Sequence, residues 1–179
     1  MREKVFIALI AILLIFAPAA SAHRLDEYLQ ATRLSLAADQ IGVEIDLTPG
    51  VDVAQMIFAL INTDHDGRIS ASEAERYAHQ VVRETILEID GNRSQLAVLK
   101  YEFPTFQEMS AGEGVIRIYA RAGWRGAPGV HRLVYQNNHK ADLGVYLVNA
   151  LRPASPTIEI TEQRRDPFQR GINLAFVLR

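Results

Sequence analysis

Residues 62–73 read Asn-Thr-Asp-His-Asp-Gly-Arg-Ile-Ser-Ala-Ser-Glu. Oxygen-bearing side chains recur at alternate positions, Asn62, Asp64 and Asp66, then at Ser70, and Glu73 follows. Alternate residues of a tight loop can point inward together. A convergence of carboxylate, amide and hydroxyl oxygens has the chemistry to hold a hard divalent cation. Gly67 permits the sharp bend that a side chain would hinder. The same residue types also build ordinary polar turns between helices, so the spacing carries the argument.

That spacing resembles an EF-hand calcium loop. The family pattern places a carboxylate or amide at positions one, three and five, Gly at six and Glu at twelve. Asn62, Asp64, Asp66, Gly67 and Glu73 fill those places, and Ile69 supplies an apolar residue at position eight. The resemblance implies that calcium is held by Asn62, Asp64, Asp66, the Arg68 carbonyl, Ser70 (directly or through a water) and a bidentate Glu73. Magnesium tolerates that enlarged shell poorly. Asn62 stands where the family usually has Asp, and Arg68 adds positive charge nearby. Both features place the affinity at the weak end, about 10⁻⁵ to 10⁻³ M. EF-hands usually pair, and no second loop is found. Ile69 must therefore pack on the rest of this chain or on another one.

The elements that position the loop are legible as helices. Val53, Met56, Ile57, Leu60 and Ile61 recur at steps of three and four behind a possible N-cap at Asp52. Ala74, Tyr77, Ala78, Val81 and Val82 do the same over about 71–84. The helix–loop–helix so defined covers 52–84.

Around it the period changes to two. Residues 28–36 alternate near their end, and Ile41, Val43, Ile45 and Leu47 alternate cleanly with Gly42, Glu44 and Asp46. Further strands are predicted at 86–90, 96–103, 115–119, 130–136, 145–151, 157–163 and 172–178. Asp90-Gly91-Asn92 is a hairpin signal. The predicted fold class is α+β: a mainly antiparallel β-sandwich of eight or nine strands with the helix–loop–helix inserted after the second. No repeat or linker divides it.

The first 22 residues have the layout of a secretory signal peptide. Arg2 and Lys4 give a positive start, Val5 to Ala17 is an apolar run of 13 residues, and Ala20-Ser21-Ala22 fits a cleavage site. The run is short for a permanent anchor, which needs about 20 apolar residues. Removing 1–22 leaves 157 residues with 17 basic and 20 acidic side chains, a net −3. No basic excess points to nucleic acid. The chain has no cysteine, which excludes disulfides and thiolate chemistry. The expected product is one β-rich domain at 23–179 in the periplasm or outside the cell.

Cleavage after Ala22 would leave His23 first. Its imidazole and free amine could chelate copper if Asp26, His131 or His139 came close. An opening of small residue, His and early hairpin is similar to the exported N-terminal domains of some bacterial membrane proteins of metal uptake. His139, after Asn137-Asn138, reads as a surface turn residue. Trp124, in the Gly123–Gly129 loop, reads as a cap on the core. Arg164, Arg165 and Arg170 flank the Asp166-Pro167 turn as a solvated hairpin or an anionic docking patch. No nucleophile motif, P-loop or dinucleotide fingerprint is present. The sequence therefore reads as a non-enzymatic, exported calcium-binding domain, with calcium structural or stabilising and an envelope protein as the candidate partner. Copper handling through His23 is the alternative.

Overall fold

The structure, a computed structural model, describes residues 26–179. The expected signal segment, its cleavage site and His23 lie outside them.

Alternation of apolar and polar residues builds β1 (Tyr28–Leu36) and β2 (Gln40–Pro49), which pair antiparallel with Leu36 opposite Ile41. Helix α1 (Val51–Ile61) follows at once. Its N-cap is Gly50, one residue after Pro49, so Asp52 lies inside the first turn and is not the cap. The face that α1 buries also differs from the reading above. Val53, Ala54, Ile57, Phe58 and Ile61 are buried, whereas Met56 and Leu60 stay 46% and 44% exposed. Helix α2 (Ala71–Arg83) begins at Ser70, which forms a capping box with Glu73. It buries Ala74, Tyr77, Ala78, Val81 and Val82 as the period requires.

The chain then makes β3 (Thr85–Ile89), the two-residue β4 (Asn92–Arg93) and β5 (Ala97–Glu102). Asp90 and Gly91 both take positive φ, 51° and 77°, the primed turn that a tight hairpin needs. A short helix, α3 (Phe106–Ser110), carries a second capping box, Thr105 with Glu108. Strands β6 (Ile116–Gly123), β7 (Gly129–Asn137), β8 (Gly144–Ala150), β9 (Ile158–Arg165) and β10 (Gly171–Leu178) complete the described chain.

The strands form two five-stranded sheets, β5-β6-β2-β1-β8 and β4-β3-β7-β10-β9. Every pairing is antiparallel except β1 with β8, which run parallel. The fold is therefore β-rich with few helices. One buried cluster takes Ile45 and Ile118 from the first sheet, Tyr135 and Phe176 from the second, and Ile57 and Val81 from the helices. Ile69 packs against this cluster. Among the described residues no helix is long and apolar enough to cross a membrane.

Candidate metal centre

The loop between α1 and α2 is shaped by its own side chains. The Asp66 amide donates to Asp64 Oδ1 at 3.2 Å and the Arg68 amide to Asp66 Oδ1 at 2.8 Å. Each short carboxylate thus makes a turn out of the backbone beside it. His65 and Gly67 take left-handed φ values of 60° and 83°. The conformation is free for glycine and costs His65 roughly 1–2 kcal/mol, so the loop's other bonds must hold it.

Glu73 supplies most of them. Its Oε1 accepts from the Thr63 amide at 2.6 Å, the Thr63 hydroxyl at 3.1 Å and the Asp64 amide at 3.3 Å. Its Oε2 accepts from the Ser70 amide at 2.9 Å and the Ser70 hydroxyl at 2.8 Å. Those donors, Ser70 first and then Thr63 and Asp64, hold the carboxyl down to a pKa of about 2, so it is ionised at any ordinary pH. Arg76, one turn further along α2, donates to the Ile61 carbonyl at 3.2 Å and to Thr63 Oγ1 at 2.8 Å.

Asn62 ends α1, its amide bonded to the Phe58 carbonyl at 2.8 Å. The residue is buried, and its Oδ1 has no hydrogen-bond partner. A buried carbonyl oxygen without a donor costs about 1–3 kcal/mol, and a cation is one way to satisfy it. The oxygen-only donor set of the loop fits a hard ion. As the side chains stand, Glu73 faces backbone amides. Among the described residues no three His, Asp or Glu side chains are gathered closely enough to hold a metal. The structure thus brings Ser70 and Glu73 together, ties Asp64 to Asp66 and Asp66 to Arg68, and buries Asn62. Thr63 and Arg76 bind this loop without having been legible in the spacing.

The histidines are already committed. His139 is fully buried, not a surface residue. Its Nδ1 lies 2.6 Å from Glu84 Oε2 and its Nε2 3.0 Å from the Tyr77 hydroxyl, which in turn lies 3.0 Å from the Tyr28 hydroxyl. Burial drives the His139 pKa down. A neutral ring then donates from Nδ1 to Glu84 and accepts at Nε2 from Tyr77. The ring sits 6.1 Å from that of Tyr28 at the head of β1, yet both its nitrogens are engaged. His131 lies 2.7 Å from Asp90 and 2.8 Å from the Ala127 carbonyl. Both neighbours can only accept, so the arrangement favours the doubly protonated ring, and the bond to Asp90 raises its pKa. Asp26, the remaining candidate beside His23, is exposed.

Arg165 spans the sheet edges, donating to the Val148 carbonyl at 2.6 Å and to Asn149, and Arg164 pairs with Glu162. Trp124 packs against the core and lies edge-on to His131 and Phe176. An open groove of about 840 Å³ runs along the ends of β8 and β9, lined by Arg152, Pro153, Ile158 and Arg179 among others. None of the loop residues lines it. Compared with family models, curated proteins and solved structures, the chain finds no match.

Proposed function

We propose that this protein is an exported, non-enzymatic calcium-binding domain whose single EF-hand spans 52–84. The observation that carries this reading is the buried, unpartnered oxygen of Asn62 at the first position of a loop with the alternating oxygen pattern. Calcium would be held by Asn62, Asp64, Asp66, the Arg68 carbonyl, Ser70 and Glu73. It would supply a charged fastening between two helices rather than a reactive centre. The two sheets are read as the layers of a sandwich at 23–179, since one buried cluster draws on both. With Ile69 packed on that cluster, the loop needs no second hand.

A lone loop docked on a β-rich body acts mainly on stability. Ligand linkage gives RT ln(1 + [Ca²⁺]/Kd), about 1.4 kcal/mol at tenfold excess over Kd. Calorimetry on metal-stripped protein tests the reading. One calcium per chain is expected, with magnesium far weaker, a raised melting temperature and little change in secondary structure. No heat and no thermal shift at millimolar calcium would sink it.

A further inference from the structure

We infer that Arg76 acts as an internal cation that keeps the Asn62–Glu73 loop closed without a metal and thereby limits how tightly calcium can bind. The inference rests on the calcium reading above. It starts from the direction of one hydrogen-bond chain. Arg76 can only donate, so at 2.8 Å it uses the lone pair of Thr63 Oγ1. The single Thr63 hydroxyl proton is then left for Glu73 Oε1, 3.1 Å away. A guanidinium is thus linked to the loop's closing carboxylate through one hydroxyl. The same guanidinium nitrogen bonds the Ile61 carbonyl at 3.2 Å, at the negative end of α1.

The consequences pull in opposite directions. Asp64, Asp66 and Glu73 put three negative charges into twelve residues. Arg76 offsets part of that repulsion and braces Thr63, whose amide and hydroxyl both bond Glu73. The loop therefore stays folded when no ion is present. A calcium ion meets the cost of this arrangement twice. It enters beside a positive charge, and it must draw Glu73 away from five donors. The buried orphan oxygen of Asn62 is the part of the loop that Arg76 leaves unsatisfied.

The test uses the mature protein, Arg76→Met, Thr63→Val and, as a control on the same helix, Arg83→Met. Melting is followed by circular dichroism in chelator, and calcium affinity by calorimetry. Arg76 is exposed, so its variant should fold. In chelator Arg76→Met should melt lower by about 2–4 °C, the shift that a loss near 1 kcal/mol gives in a chain of this size. It should bind calcium about threefold tighter or more. Thr63→Val should shift both readouts the same way and less, and Arg83→Met should shift neither. Unchanged or weaker calcium affinity in Arg76→Met, with native protein binding normally, overturns this inference alone. Native protein that takes up no calcium overturns the reading beneath it, and an unaltered melt in chelator then removes the latch as well.

Discussion

The hydroxyl of Tyr77 lies 3.0 Å from Nε2 of His139, which ties the helix leaving the acidic loop to a histidine buried beside the head of β1. Tyr77 also meets Tyr28, and His139 meets Glu84 at the end of the same helix. Removing one hydroxyl should therefore strand two buried groups. Tyr77→Phe is expected to cost about 1–3 kcal/mol, read as a lower melting temperature, while calcium affinity stays near native. A variant as stable as the native chain would show that the network is incidental.

The loop ligands should separate in a graded series. Glu73→Gln removes a charge and turns one of the two oxygens that clasp Thr63 and Ser70 into a donor, so it should weaken calcium binding more than Ser70→Ala and also lower the melt in chelator. Asn62→Asp puts a carboxylate where an oxygen is buried and unpartnered. Without an ion that charge is destabilising, and with calcium it supplies a charged ligand in place of a neutral one. Its melt should start below native and rise further on calcium. Calorimetry that ranks Ser70→Ala as the most damaging change would contradict the ligand assignment.

The His131–Asp90 contact should leave a pH signature. Asp90 raises the His131 pKa above its unfolded value. That stabilisation is complete below about pH 6.5 and fades as pH climbs through the folded pKa. The Arg132 amide, and then His131, lower the Asp90 pKa. Its share is present above about pH 3.8 and fades as pH falls through the folded value. His139 is shifted the other way by burial, so the whole-chain profile mixes the two. The difference between native protein and His131→Gln isolates the contact. Denaturant titrations should find that difference largest between about pH 4 and 6.5 and smaller on either side. A constant difference from pH 4 to 9 would count against it.

Copper should find no built site. His131 and His139 each have both nitrogens engaged. Copper competition assays should place the mature protein level with a peptide of its first residues. Sub-nanomolar affinity, lost both in His23→Ala and on adding one residue before His23, would instead move the protein to copper handling.

Much of the secondary structure is written locally. The alternation at 41–47 and the period of α2 each report a face that must be buried, the Asp-Gly pair reports a turn that needs positive φ, and the structure has all three. α1 is less legible because apolar residues occupy nearly every position. Spacing alone could not choose Ala54 and Phe58 over Met56 and Leu60. α3 is not legible from periodicity although Thr105 and Glu108 carry a capping-box spacing, since five residues show no period. Burial of His139 is a tertiary fact. Its partners lie 55 and 62 residues away, and no local rule brings them together. In the loop the ligand pattern was readable, whereas Thr63 and Arg76 take their roles from side-chain direction.

The parallel seam between β1 and β8 sets an order of events. Tyr28 pairs with Gly144 and Leu34 with Ala150, so the second flank of β1 waits for a segment more than a hundred residues downstream. Closing so long a loop is entropically costly and slow compared with local pairing. The β1–β2 hairpin and the acidic helix–loop–helix involve only near neighbours and can form while that flank is bare. Until β8 arrives, β1 is an open edge with unpaired backbone groups, the kind of surface on which another chain can grow. The vulnerable interval in this protein's folding is thus the time between its first hairpin and its eighth strand.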